Sequence, residues 1–174
     1  TSALKEMQEK HSAQIICTFP NSDHGSEIII KELESLSKNN QNINLFKSLG
    51  GYLYYGLLAL SLDDKNIIIS AGNSSSGIKE TPTFKCPHLN IGNRQKGRFT
   101  SQNIINSKYS KNEIYQKLSH LIEPENRKKL RNESNPYWNN GAGENFENFL
   151  TRISVKNREQ LLVKKIKNTK LNDL

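Results

Sequence analysis

Short apolar segments of strand length alternate with segments of helix length along most of this chain, and this alternation narrows the possible folds more than any other feature. The predicted strands are runs rich in Ile and Leu, at residues 14–19, 44–46, 66–71, 88–91 and 103–106. Helices are predicted at residues 2–11, 23–38, 52–62, 112–122 and 125–132 and from residue 142 or 144 to 167, and a short one reaches residues 81–82. Such alternation is typical of a layered α/β domain with a mostly parallel sheet.

Several of these segments carry expectations about burial. Residues 52–62 are apolar on nearly every side, so we expect this helix to be well buried. The Ile-rich strand at residues 66–71 is typical of a strand that is covered on both faces in a parallel sheet. Cys17 and Cys86 lie in apolar, strand-like contexts and are predicted to be buried free thiols.

Composition and motif spacing exclude several classes of protein. The chain has 174 residues, of which 34% are hydrophobic, and this suits one packed globular domain. Its apolar runs are shorter than the ~18 residues of a membrane span, and its first residues show no signal sequence. The histidines His11, His24, His88 and His120 share no metal-ligand spacing. We therefore expect a cytoplasmic protein with no membrane partner, no disulfide, no metal and no cofactor.

The formal charge of +8 is unevenly distributed along the chain. Residues 79–131 have a net charge of +8, residues 151–174 have +5, and all other residues together have −5. Arg94, Lys96 and Arg98 lie close together beside glycines, a spacing that suits a diphosphate as well as it suits DNA. The basic tail is more simply explained as the solvated face of a helix. Charge alone therefore leaves both classes of ligand open.

The strongest chemical signal is the segment IIISAGNSSSGIKE at residues 67–80, where a buried strand runs into a turn of small residues and a helix start. The first amides of a helix lack intrahelical acceptors, serine hydroxyls add donors, and glycines let an anion approach the backbone. The segment therefore predicts a phosphate cradle at the carboxyl end of a parallel strand, with an ordinary serine N-cap as the alternative. Glu80 has two open interpretations, because its carboxylate could bind a ribose diol or stabilise the helix dipole.

Two further polar segments follow predicted strands. NIGNRQKGR at residues 90–98 combines three cations with two glycines, and Arg94 could make bidentate contacts with phosphate oxygens. FPNSD at residues 19–23 is a polar turn at the end of the first predicted strand. Polar groups at the ends of three strands of one parallel sheet predict a common site, although each could be a simple turn.

Together these segments resemble the carboxyl-terminal half of the hydrolysing UDP-N-acetylglucosamine 2-epimerases. The matching blocks are GNSSSGIKE at residues 72–80, TPTF at 81–84, NIGNRQKGR at 90–98, FPNSD at 19–23 with Gly25, and NPY at 135–137 with GAG at 141–143. The resemblance implies a UDP-binding domain at residues 1–150, followed by a basic helical extension at residues 151–174. It also implies an α/β fold with a Rossmann-like, mostly parallel sheet flanked by helices, as in the carboxyl-terminal half of a GT-B fold.

The resemblance assigns roles at a UDP site to individual residues. Ser74 and Ser75 would hold the diphosphate, and Glu80 would hold the ribose hydroxyls. Arg94 and Asn21 would line the same nucleotide site.

A looser match at residues 47–49 would place Leu49 beside the uracil. The implied ligand is UDP or a UDP-N-acetylhexosamine. In the implied reaction, UDP is eliminated and water adds, giving an N-acetylmannosamine-type sugar for sialic-acid-type sugars. Positioned amides and Arg94 would stabilise the charge that builds on the departing diphosphate.

The chain departs from the family pattern in ways that bear on activity. The family's histidine-containing motif and its amino-terminal domain, with the catalytic acids and bases, have no counterpart here, so no catalytic residue is assigned. The stretch between Leu49 and Gly72 is also longer than in the family. We therefore expect a fragment that binds UDP weakly, has no turnover alone and needs the missing amino-terminal domain as its partner. Self-association stays open.

Two alternative functions remain. One is the half-domain of a UDP-sugar glycosyltransferase with the same architecture. The other is a basic nucleic-acid-binding or scaffold module, which would bind duplex DNA with a steep salt dependence and ignore UDP. We expect no nucleic-acid partner. The sequence leaves open whether the sugar is N-acetylglucosamine or a diacetylated bacillosamine relative.

Overall fold

A computed structural model gives the fold of the protein and describes residues 1–38, 40–130, 134–138, 140–153 and 156. The chain divides into two compact units, Thr1–Trp138 and Asn139–Leu174. The candidate site lies within the first unit.

The first unit is mixed α/β, and its strands and helices alternate as the sequence predicts. The strands are β1 (Ile15–Thr18), β2 (Ile43–Phe46), β3 (Ser70–Gly72), β4 (His88–Ile91) and β5 (Ile104–Ser107). The α-helices are α1 (Ser2–His11), α2 (Ser26–Lys38), α3 (Gly50–Ala59), α4 (Ser75–Lys79), α5 (Lys111–Ile122) and α6 (Pro124–Lys129). Short 3-10 helices at Leu60–Leu62 and Thr81–Phe84 follow α3 and α4.

Every strand pair in the described part of the chain is parallel, which confirms the predicted sheet type and a Rossmann-like arrangement. β1 pairs with β2, whereas β3, β4 and β5 form a second sheet in that order. The register places Gly72 opposite Asn90, and Asn90 opposite Asn106. The carboxyl ends of these three strands therefore lie side by side, and the segments that follow them emerge at one edge.

The helices cover the sheets through two hydrophobic clusters. The larger cluster contains buried residues of α1, β4 and α5, namely Met7, Leu89, Leu118 and Leu121. The smaller cluster contains buried residues of β1, α2 and β2, namely Cys17, Leu33 and Ile43. Leu4 packs against both clusters, so α1 joins the two parts of this unit.

Both cysteines are buried free thiols, as the sequence predicts. Burial raises the pKa of the Cys86 thiol to about 11 and also raises the pKa of Cys17, so both thiols stay protonated near neutral pH. Across the described ranges, no helix combines the length and the apolar composition needed to cross a membrane.

The predicted strand at residues 66–71 is only partly right. β3 begins at Ser70, and Ile67 is 51% exposed. The neighbouring strand explains the difference, because β4 begins at His88, opposite Ser70, and the residue before it is a proline. The carbonyl of Pro87 accepts a hydrogen bond from the Ser70 N–H at 2.9 Å, but Pro87 has no N–H with which to extend the ladder.

The expectation that residues 52–62 form a well buried helix is wrong. Leu58 is the buried residue of α3, whereas Tyr52 is 92% exposed and Leu53 is 56% exposed. Because the segment is apolar on all sides, its sequence does not identify which face packs. Its hydrophobicity was therefore a poor guide to its burial.

The described part of the second unit contains helix α7 (Ala142–Arg152). Gly141 precedes it with a φ of 79°, a conformation that suits glycine. Phe146, Phe149 and Leu150 of α7 are exposed. The predicted continuation of this helix to residue 167, and most of the basic extension at 151–174, lie outside the described residues. The domain boundary near residue 150 stays a prediction.

Candidate functional site

A cleft of about 690 Å³ lies where the segments after β1, β2 and β3 meet. Its volume is within the range of about 300–1,000 Å³ that is typical of small-molecule sites. Residues 18–22 and 47–51 line it, together with side chains of α3, the turn after β3, α4 and its C-cap, namely Tyr54, Tyr55, Ser74, Ser76 and Glu80. The site is therefore built mainly from strand ends and the turns that follow them, as predicted for a parallel α/β sheet.

Small residues shape the turn after β3. Gly72 has a φ of 152°, which favours glycine. Ser74 caps α4, and its hydroxyl accepts hydrogen bonds from the Ser76 backbone N–H at 3.4 Å and from the Ser76 hydroxyl at 3.0 Å. The N-cap interpretation thus holds for Ser74, while phosphate binding stays a prediction. Because α4 is only five residues long, its macrodipole is small, and a phosphate here would depend on hydroxyls and single amides.

Close packing fixes α4 against β4. A Cβ added at Gly77 would overlap the imidazole ring of His88. His88 is 2% exposed, and its Nδ1 lies 2.9 Å from the Ser70 hydroxyl. Burial lowers the pKa of His88 to about 4, so this ring is neutral near neutral pH. Helix α4, which follows the turn after β3, therefore packs against a buried histidine ring that carries no charge near neutral pH.

Tyr54 brings a phenol to the cleft beside the serines of the turn. Its hydroxyl lies close enough to Ser76 and Glu80 for both groups to affect its ionisation. Burial and, to a smaller extent, the Glu80 carboxylate raise the pKa of Tyr54, while the neighbouring Ser76 hydroxyl lowers it. The phenol is therefore protonated and able to donate near neutral pH. The neighbouring Tyr55 stacks on Phe84 with ring centroids 5.7 Å apart, which ties α3 to the 3-10 helix after α4.

The loop after β4, residues 92–97, contacts the turn after β3 through one carbonyl. Gln95 Nε2 donates to the carbonyl oxygen of Asn73 at 2.7 Å, and Arg94 Nη1 donates to the same oxygen at 3.2 Å. Gln95 is 5% exposed, whereas the Arg94 side chain is 47% exposed and lies 4.0 Å from the Asp23 carboxylate. Two hydrogen bonds to the Asn73 carbonyl therefore join this loop to the turn after β3.

The structure brings together most of the residues predicted to bind UDP. Asn21, Leu49, Ser74 and Glu80 line the same cleft. Ser75 is half-buried in the first turn of α4 and does not line the cleft, and Arg94 is engaged with Asn73 and Asp23 as described above. The binding role of each of these residues stays a prediction.

Sequence reasoning missed the cleft-lining roles of Tyr54, Tyr55 and Ser76, and the buried contact of Gln95. A signal was present for the tyrosines, since two polar-tipped aromatics side by side stand out in the apolar helix α3. No comparable signal marked Gln95, which occurs in a loop of polar residues.

The polar groups at the cleft are hydroxyls, amides, the Glu80 carboxylate and the Lys47 ammonium. These groups suit a small molecule that carries both hydroxyls and phosphates. In the part of the chain that the structure describes, no group of three or more His, Cys, Asp and Glu side chains is placed to hold a metal ion.

Comparison with known proteins identifies the family. Residues 1–151 match the family model described as UDP-N-acetylglucosamine 2-epimerase. The chain belongs to this family. The predicted family is thereby confirmed, and the placement of this chain in the carboxyl-terminal half of the enzyme stays a prediction.

Three curated relatives of this epimerase-family chain have related names. A GDP/UDP-N,N'-diacetylbacillosamine 2-epimerase (hydrolyzing) of Campylobacter jejuni is 42% identical over 105 residues, 60% of this chain and 26% of that protein. A UDP-N-acetylglucosamine 2-epimerase of Neisseria meningitidis is 32% identical over 107 residues, which are 62% of this chain and 26% of that protein. A UDP-N,N'-diacetylbacillosamine 2-epimerase (hydrolyzing) of Legionella pneumophila is 31% identical over 142 residues, 82% and 35% respectively. The chain thus spans about a quarter to a third of the length of these relatives.

Proposed function

We propose that this chain provides the UDP-binding part, the carboxyl-terminal domain, of a hydrolysing 2-epimerase that acts on a UDP-N-acetylhexosamine. The cleft carries the proposal, because Asn21, Leu49, Ser74 and Glu80 come from three separate segments and yet line one cavity. Membership of the epimerase family supports it, as do the UDP-sugars in the names of the three relatives.

Each part of the nucleotide has a chemically suitable wall in this proposal. The uracil lies beside Leu49, which is half-buried and apolar. The ribose hydroxyls donate to the Glu80 carboxylate. The diphosphate accepts hydrogen bonds from the turn that contains Ser74 and Ser75, and Arg94 and Asn21 complete the site.

The proposed reaction begins with cleavage of the bond between C1 of the sugar and the diphosphate oxygen, as the proton on C2 leaves. Water then adds to the unsaturated sugar, and the new proton arrives at C2 from the opposite face. UDP is the leaving group, so this chain acts by holding a diphosphate whose negative charge increases in the transition state. The acids and bases that move the protons come from the rest of the enzyme, and this chain alone has no turnover.

The proposed location is the cytoplasm. Both cysteines are free and buried, as expected for a protein of a reducing compartment. The partners in this proposal are the nucleotide sugar and the remaining domain of the enzyme, and no nucleic acid takes part.

Calorimetric titration with UDP tests the proposal. The Glu80→Gln variant should bind UDP roughly tenfold more weakly than the parent chain, since it loses a charge-assisted hydrogen bond to the ribose. Glu27→Gln is the matched control, because Glu27 is exposed on α2 and does not line the cleft. A parent chain that ignores UDP but binds duplex DNA with a steep salt dependence would contradict the proposal.

Two further measurements sharpen this test. GDP is titrated in parallel, because the name of the Campylobacter relative includes it. Tighter binding of GDP than of UDP would overturn the assignment of uracil to the wall at Leu49. Release of N-acetylmannosamine from UDP-N-acetylglucosamine by the 174-residue chain alone would overturn the proposal that the catalytic acids and bases lie in the rest of the enzyme.

A further inference from the structure

The loop after β4 controls the orientation of one peptide group at the cleft. The carbonyl of Asn73 accepts hydrogen bonds from Gln95 Nε2 at 2.7 Å and from Arg94 Nη1 at 3.2 Å, which occupies both of its lone pairs. In a trans peptide the carbonyl oxygen of one residue and the N–H of the next point in opposite directions. With the Asn73 oxygen held by the loop, the Ser74 N–H points away from the loop, and Ser74 is a residue that lines the cleft.

We infer that Gln95 is a positioning residue that holds the Asn73–Ser74 peptide with its N–H toward the bound diphosphate. This inference rests on the proposed UDP binding and adds to it a residue that never touches the ligand. Gln95 itself does not line the cleft, so its effect on the ligand is exerted through the backbone of the turn.

The structure shows why Gln95, rather than Arg94, is the determining donor. The hydrogen bond from Gln95 is the shorter one, and Gln95 as a whole residue is 5% exposed, whereas the Arg94 side chain is 47% exposed and its guanidinium also contacts Asp23. Water competes little with a buried hydrogen bond. The loop is itself anchored, because the Gly92 N–H donates to the Ser107 carbonyl at 2.7 Å.

The opposite orientation of this peptide would be unfavourable for an anion. If the peptide rotated, the Asn73 carbonyl would face the diphosphate, and two negatively polarised groups would meet. Removal of the Gln95 donor therefore exchanges an attraction for a repulsion. Rotation of this peptide changes only ψ of Asn73 and φ of Ser74, so the two hydrogen bonds from the loop to the Asn73 oxygen fix its orientation.

The surroundings of the Gln95 side chain allow a substitution that removes its hydrogen-bonding groups and little else. Its Oε1 is buried without a hydrogen-bond partner in the described residues, so Gln95→Met removes the donor and an unsatisfied acceptor together at nearly constant volume. Stability should change little. Gln116→Met is the matched control, since Gln116 is an exposed residue of α5.

The experiment compares UDP with uridine in titrations of the 174-residue chain followed by NMR. Gln95→Met should weaken UDP binding roughly tenfold or more, while uridine binding stays within about twofold, because only the diphosphate meets the Ser74 N–H. The shift of the Ser74 amide proton on UDP addition should disappear in this variant and persist in Gln116→Met.

The outcomes separate this inference from the proposed function. A parent chain that does not bind UDP overturns both. If the parent chain binds UDP and Gln95→Met binds it equally well, the inference alone fails. Equal losses for UDP and uridine also overturn it, because they indicate a general deformation of the site.

Discussion

Gly77 and His88 meet where α4 packs on β4, and the contact leaves no room for a Cβ. We expect Gly77→Ala to lower the free energy of unfolding by about 1–3 kcal/mol, since either the helix or the ring must move. Gly56→Ala is the control, because a Cβ there meets nothing within 4 Å. That change should raise the free energy by about 0.5–1 kcal/mol, as glycine is a poor helix former. Urea denaturation measures both, and equal stability of Gly77→Ala and the parent chain would contradict the described contact.

The buried ring of His88 makes stability depend on pH. Burial lowers its folded-state pKa to about 4, from an ordinary value of 6.5, so the unfolded chain binds more protons between these values. Stability is therefore present above the ordinary pKa and is lost as the pH falls toward about 4. Lowering the pH from about 7 to about 5 should therefore reduce the free energy of unfolding by on the order of 2 kcal/mol through this one histidine.

Denaturation at both pH values, with His88→Gln beside the parent chain, measures this effect. The variant should lose less stability on acidification, whereas His24→Gln, at an exposed position, should follow the parent chain. Identical pH dependence in His88→Gln and the parent chain would show that the buried ring is not the source.

The residues that line the cleft were predictable where they belong to a local motif, whereas their binding roles stay predictions. Ser74 and Asn21 come just after strand ends, and Glu80 ends the short helix that follows β3; strand ends converge in a parallel sheet. Gln95 was not predictable, because its contact with Asn73 spans 22 residues and depends on the packing of two loops. Arg94 was expected at the phosphates from its charge, yet its position in the structure is set by a backbone carbonyl and an aspartate.

At the scale of elements, α3 shows that a helix with an apolar sequence can be largely exposed. Tyr52 is 92% exposed and Leu58 is 3% exposed on the same helix. We expect Tyr52→Gln to change the free energy of unfolding by less than about 0.5 kcal/mol, as at other surface positions. Leu58→Ala should cost about 2–5 kcal/mol through the cavity it leaves. Equal effects of the two substitutions in urea denaturation would mean that α3 packs differently.

Elements were predicted better in kind than in extent. The positions of β1, β2, β4 and β5 follow from short apolar runs bounded by polar residues. β3 is shorter than its Ile-rich run, because Pro87 precedes its partner strand and cannot continue the ladder. That limit depends on the neighbouring strand and is invisible within residues 66–71.

For the molecule as a whole, a nucleotide in the cleft would contact segments that follow strands of both sheets. Because a ligand that binds only the folded chain stabilises it by mass action, UDP at about 100 times its Kd should add about 2.7 kcal/mol to the free energy of unfolding. Thermal unfolding with UDP, uridine and inorganic phosphate at matched concentrations checks this, and UDP should raise Tm most. An equal rise with phosphate alone would indicate general anion binding to a chain of net charge +8.

The two sheets are separate hydrogen-bonded ladders, each with its own hydrophobic cluster, and Leu4 packs against both clusters. Such an arrangement lets the smaller ladder open to solvent and exchange its amide protons while the larger one stays closed. A nucleotide that grips the segments after both sheets would suppress this partial opening. The rate of hydrogen exchange at the backbone amides of β1 and β2 would then report how much of the cleft is occupied, because exchange slows when the nucleotide is bound.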